Sequence, residues 1–229
     1  MINAADWVEE LHTIERAQLP DYLNKHSGLP GPRANLALLE AVVRTADDTF
    51  IEELISNGGE YQVMCAAAYF GAHCDDLIAR AKACELAKDE RWRVREGIVL
   101  GLQLLGDKSL AALWDVAKEW INTDSPLVQR AVVAAVCEPR LLRTTEGASL
   151  AIDACRIATD SIAGMSEDQS RTPEVRVLRQ TLGYCWSVAI VADPTNGLAV
   201  FTALDTSNAD IAWIVKENWR KKRLQPYSV

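Results

Sequence analysis

The residues equipped to do chemistry are few and scattered. His73-Cys74-Asp75-Asp76 gathers four side chains that could ligate a metal or supply a nucleophile. Consecutive residues at a helix start point in different directions, so this run cannot close a tetrahedral site by itself. A nucleophilic Cys74 would also need a base, and no spacing identifies one. Asp75 and Asp76 read instead as caps of a helix running to Ala87, where carboxylates accept from unpaired backbone N–H groups. The histidines are three in all, His12, His26 and His73, and there is no Gly-rich phosphate loop, GxSxG, HExxH or EF-hand pattern. The expectation is no catalytic residue, no metal site and no cofactor. Cysteines 65, 74, 84, 137, 155 and 185 lie among Ala, Val and Ile without a CxxC pair, which points to reduced thiols packed as small hydrophobes.

Aromatic and basic residues offer binding rather than catalysis. Of seven tryptophans, Trp114 and Trp120 share a stripe with Leu110, Leu113 and Ala117, and Trp186 sits in an apolar run, so these three read as core. Trp92 and Trp213 occur at equivalent places in a repeated phrase and read either as a repeat-defining contact or as an exposed platform. Arg93, Arg95, Arg130, Arg179, Lys216 and Arg220 follow the same register, and with the two tryptophans they form the candidate binding surface. Glu90, Glu96, Glu174 and Glu217 lie among them, so a mixed-charge face or an ion-pair ladder is the competing reading. Arg220-Lys-Lys-Arg223 ends a helix, where cations offset the macrodipole.

The elements that must position these side chains are helices. Nearly every segment carries 3.6-residue periodicity, and no alternating strand stands out. Val94, Gly97, Ile98, Gly101, Leu102 and Leu105 form one apolar stripe, with Arg93, Glu96 and Gln103 directed elsewhere. Gly97 and Gly101 lower helix propensity but let a neighbouring helix come close. Asp89, Val94 and Arg95 recur in spacing as Asp210, Val215 and Lys216, with weaker copies at Asp124/Arg130, Ser170/Arg176 and Gly58/Met64. Valines 63, 94, 128, 175 and 215 are then spaced by 31, 34, 47 and 40 residues, a range that suits stacked helix pairs. Each aspartate is expected to cap the second helix of its pair, and each basic residue to reach the cap of an adjacent repeat. Ser109 to Ile121 is a first helix. The longest interval holds an exposed polar loop, Gly164 to Pro173. At the N-terminus, Ala4 to Ala17 is expected as one amphipathic capping helix. His26 to Arg33 reads as loop, and a further helix spans Ala34 to Ala46.

The Asp, Val, Arg signature on a second helix resembles HEAT repeats over roughly residues 33 to 224. Arg91-Trp-Arg-Val-Arg-Glu-Gly, Pro126 to Leu142 and Trp213 to Leu224 look like bacterial HEAT-repeat proteins of unassigned function. A more distant likeness is to the alkylpurine DNA glycosylases built on HEAT-like repeats, which implies a basic concave surface with tryptophans and an acidic residue. No position carries a matching motif for that acid.

The expected fold is therefore all-α, a right-handed α-α solenoid of about five or six HEAT-like helix pairs in one domain over 1–229. Residues 1–32 would serve as capping helix and connector, and 33–224 as the array. With 24 basic against 32 acidic residues the net charge is −8, which disfavours nucleic acid and anionic membranes unless a face is locally basic. Met1 to Ala17 is dotted with charge, so no secretory signal is expected. Leu182 to Ala192 is too short to span a bilayer, and the chain reads as cytoplasmic. The implied function is a non-catalytic scaffold with a protein partner. The alternative is a DNA-binding, glycosylase-like repair protein.

Overall fold

In a computed structural model describing residues 3–227, helices account for the regular structure, and no strand occurs among the described residues. The chain forms two compact units, Met1–Leu105 and Gly106–Val229, and the division falls inside one helix. Unit 1 contains α1 (Ala4–Leu11), α2 (Leu19–His26), α3 (Leu36–Thr45), α4 (Asp48–Asn57), α5 (Glu60–Ala72), α6 (Leu77–Leu86) and most of α7 (Trp92–Lys108). Unit 2 contains α8 (Leu110–Trp120), α9 (Pro126–Val136), α10 (Thr145–Ala163), α11 (Glu167–Ser170), α12 (Pro173–Ala192), α13 (Pro194–Thr202) and α14 (Ala209–Trp219).

The paired-helix architecture read from the sequence is the one present. Valines 63, 94, 128 and 175 sit buried on α5, α7, α9 and α12. On α14 the alignment slips by one residue: Ile214 takes the core position and Val215 is half-buried. In unit 1, α5 is apolar on every side and packs against α2, α3, α4 and α6. A helix without a polar face must be surrounded. In unit 2, α12 has the same place, packed against α9, α10, α13 and α14. Trp186 of α12 is fully buried and its indole N–H donates to Thr159 Oγ1 of α10 at 3.0 Å, so a large ring enters the core with its one polar atom satisfied. Trp120 is likewise buried, whereas Trp114 is half-buried with the Lys118 ammonium 4.9 Å from its ring.

Helix starts follow cap chemistry. Asp47 caps α4, Asp76 caps α6, Ser109 caps α8, Thr172 caps α12 and Asn208 caps α14. Gly58 ends α4 at φ 72°, a left-handed conformation that glycine adopts without penalty. Several expectations are corrected. Ala4 to Ala17 is not one helix: α1 stops at Leu11, a turn follows, and a short 3-10 segment at Arg16–Gln18 leads into α2. Beyond Leu11 no side chain before Leu23 is buried, so nothing holds the helix on the core. His26 ends α2 rather than lying in the loop. The segment 164–173 is exposed as expected, yet it contains the short α11, closed by a Ser166/Gln169 capping box. Gln103, expected to face away from the stripe, is buried.

The close approach anticipated from Gly97 and Gly101 is where α7 meets α5. A Cβ on Gly101 would fall on the Ala68 carbonyl and 2.8 Å from Gly71 Cα; one on Gly97 would fall on the Met64 carbonyl. The obstacles are backbone, which cannot rotate away. Gly101→Ala is expected to destabilise the chain by about 1–3 kcal/mol or more through overpacking. Gly164→Ala, whose Cβ would meet nothing nearer than Asp160 O at 3.6 Å, is expected to be neutral or to stabilise by up to about 1 kcal/mol. Urea unfolding midpoints of the two variants check the contrast.

Candidate functional site

Unit 1 carries an open cleft of about 650 Å³, lined by Trp7 of α1, the segment Pro32 to Ala37, and Arg93 and Glu96 of α7. That volume is within the usual range of ligand pockets. The loop leading to it is tightly fixed. Gly28 adopts φ 76°, and a Cβ there would lie 2.7 Å from the Arg33 carbonyl. Gly31 N–H donates to Gly28 O at 2.9 Å, and Asn35 N–H donates to Ser27 O at 2.7 Å. The Asn35 side chain donates to His26 O and accepts from Leu38 N–H, capping α3, while Tyr61 OH donates to Asn35 O at 2.6 Å. From across the cleft Arg93 Nη2 donates to Pro32 O at 2.9 Å, and its Nη1 donates to Glu96 Oε2 at 2.7 Å. Within this frame Leu36 stays 43% exposed, and Arg33 has no ion-pair or hydrogen-bond partner for its side chain among the described residues.

Of the residues proposed from sequence as a binding surface, only Arg93 lines this cleft. Trp92, one residue before it, is 47% exposed. Arg95 turns back along its own repeat, donating to the carbonyls of Asp89 and Glu90 at 2.6 and 2.9 Å. Arg130 is only 6% exposed, held within unit 2. Arg179 on α12 pairs with Asp210 on α14 and lies 5.0 Å from the Trp213 ring. That ring packs on Gly183, where a Cβ would come within 2.8 Å of it, so Trp213 is a helix-to-helix contact. Lys216 is exposed, and Arg220 pairs with Glu217 on its own helix. Most of these cations are thus spent inside their units. The members of the cleft that sequence reading missed are Trp7, Arg33, Leu36 and Glu96. The rigid Leu29-Pro-Gly-Pro-Arg33 break is the sequence signal for a side chain presented from a fixed loop.

The expected charge ladder appears in altered form. The rung between adjacent repeats is Arg179 to Asp210, one turn away from the anticipated Arg176. Asp210 is not the cap of α14, since Asn208 accepts from Asp210 N–H and Ile211 N–H. Asp89 lies before the helix start and accepts from the Arg91 N–H and guanidinium at 2.7–2.8 Å.

The His73 to Asp76 run separates as its geometry required. His73 Nδ1 donates to Tyr69 O at 2.8 Å, Cys74 Sγ donates to Phe70 O, and Asp76 caps α6. No group of three or more His, Cys, Asp or Glu side chains among the described residues is arranged to hold a metal ion. The six cysteines form no disulfide among the described residues, and burial pushes the Cys65 and Cys155 thiols above their ordinary pKa. Cys137 and Cys155 share a thiol–thiol hydrogen bond at 3.7 Å between sulfurs, with no disulfide. No described helix is long and apolar enough to cross a membrane.

Helix pairs of this kind, packed in sequence order within each unit, place the chain in the class of HEAT-like helical-repeat folds. Among solved structures it is similar to AlkD2 from Streptococcus mutans, with a TM-score of 0.68 at 16% identity, covering 90% of this chain and 98% of that one. The likeness is one of fold. No protein-family model matches the sequence, and no curated protein matches it.

The Arg91 guanidinium holds the Asp89 carboxyl below its ordinary pKa, and the backbone bond from Arg91 acts in the same direction. A carboxyl depressed in the folded state contributes stability that is present above the unfolded value, about 3.9, and is lost as pH falls through the folded value. Asp89→Asn is expected to lower stability at neutral pH and to flatten its decline below about pH 4, so that the two proteins converge in acid. Urea unfolding across that pH range measures both slopes.

Proposed function

We propose that this chain is a non-catalytic HEAT-type binding module whose protein partner is held at the cleft of unit 1. The observation that carries this reading is the division of labour among the arginines. Arg95, Arg130, Arg179 and Arg220 are turned to carbonyls, core or carboxylates of their own unit, while the cleft pairs apolar lining at Trp7, Ala34, Leu36 and Ala37 with a single uncommitted cation. Holding a phosphate backbone takes several uncommitted cations, and the cleft offers one. An apolar floor with a sparse polar rim suits a protein segment.

A second reading has a specific observation in its favour. The fold likeness to AlkD2 supports the HEAT-like glycosylase resemblance, and Glu96 puts a half-buried carboxylate in an open cleft one helical turn from exposed Trp92. In that reading the cleft receives a damaged base and Glu96 stabilises positive charge developing on the sugar.

Two measurements on the purified chain separate the readings. A random peptide library displayed on phage is panned against it, and alkylated and undamaged duplex DNA are tested for binding and for release of free base. The module reading expects enriched peptides whose binding drops roughly tenfold or more on Leu36→Asp, with no base released. Base release that disappears in Glu96→Gln would overturn it in favour of the repair enzyme.

A further inference from the structure

Resting on the module reading, we infer that the unit 1 cleft selects an acidic partner segment, one in which a carboxylate adjoins a bulky apolar side chain. The cleft contributes two cations and one anion, Arg33, Arg93 and Glu96. Arg93 and Glu96 hold each other at 2.7 Å and neutralise one another, which leaves the cleft with one net positive charge, on Arg33. A ligand carboxylate meets that charge without competing against an existing ion pair. A ligand ammonium would face Arg33 with no uncommitted carboxylate to receive it.

The fixed loop strengthens this preference. Arg33 follows Pro30 and Pro32, and the backbone around it is secured by Gly31 to Gly28, Asn35 to Ser27 and Arg93 to Pro32 hydrogen bonds. The rim is already ordered before a partner arrives, so a charge-assisted bond to Arg33 loses little to the ordering of its own loop. Planar guanidinium geometry also favours a bidentate carboxylate. Beside it, exposed Leu36 provides the apolar wall for the neighbouring side chain, with the edge of the largely buried Trp7 behind it. One net charge and an apolar wall fit an acidic-apolar peptide better than a polyphosphate, whose affinity depends on many cations at once.

The test uses peptides enriched by phage panning on the full chain, resynthesised with a fluorescein label and titrated by anisotropy. Their sequences are expected to pair Asp or Glu with Leu, Ile, Phe or Trp. Arg33→Glu is expected to weaken binding roughly tenfold or more, and Arg33→Lys, which keeps the charge but loses the bidentate fork, to weaken it by a smaller factor. Arg176→Glu, which reverses an exposed charge in unit 2, should leave binding unchanged. Arg33 is exposed, and circular dichroism checks that each variant keeps its helices. Enrichment of basic or uncharged peptides, or equal binding by Arg33→Glu and the parent chain, overturns the acidic preference while the module reading stands. Failure to enrich any peptide overturns both.

Discussion

The distance between two helices governs unit 1. Gly71, Gly97 and Gly101 bring the α5 and α7 backbones together so tightly that no side chain fits between them. Such contact holds α7 at a set depth against the core, and with it the half-buried Arg93 and Glu96 on the cleft side of the same helix. Arg93 then reaches the Pro32 carbonyl, and the loop carrying Arg33 is braced from both sides. A cleft with a defined rim is the outcome of backbone packing some way from it. Close-packed interiors transmit position in this manner because they have little free volume to absorb a shift.

Unit 2 reaches similar order by other means. Its central helix α12 presents Gly183 to the Trp213 ring and buries Trp186 against Phe201, so large aromatic surfaces fill the space that glycines close in unit 1. Asn218 adds a polar clasp: its Nδ2 donates to the carbonyls of Leu182 and Ile214, and its Oδ1 accepts from Ser187 N–H. A buried amide satisfied at three bonds joins α14 to α12 in one register, since any slip would strand those groups without partners. Arg179 and Asp210 work at the rim of the same contact. There solvent screening limits an ion pair to a modest contribution, so its role is orientation more than stability.

Electrostatics divides the arginines by distance from their own helices. Six positions after Asp89, at Arg95, a guanidinium finds the open carbonyls of the preceding turn; nine positions after the equivalent Ser170, at Arg179, it reaches the next repeat. Sequence spacing alone treated these as equivalent members of one positive stripe. Long side chains choose among several acceptors, and the nearest satisfied geometry wins. The stripe consequently breaks into local pairs, and the uncommitted charge of the cleft lies on a loop residue outside the repeat pattern.

What the sequence settled by itself was periodic and local. Apolar spacing placed four of the five second helices on their valines, cap residues such as Ser109 and Asp76 marked helix starts, and Gly97 with Gly101 announced a close helix contact. These signals are legible because each depends on neighbours within a turn or two. The end of α1 at Leu11, the burial of Gln103 and Arg130, and the meeting of Trp7, Arg33, Leu36, Arg93 and Glu96 around one cleft were decided only by tertiary structure. Those residues come from three separate segments, and no periodicity relates a loop to a helix some sixty positions away; hydrogen bonds and packing formed on folding bring them together.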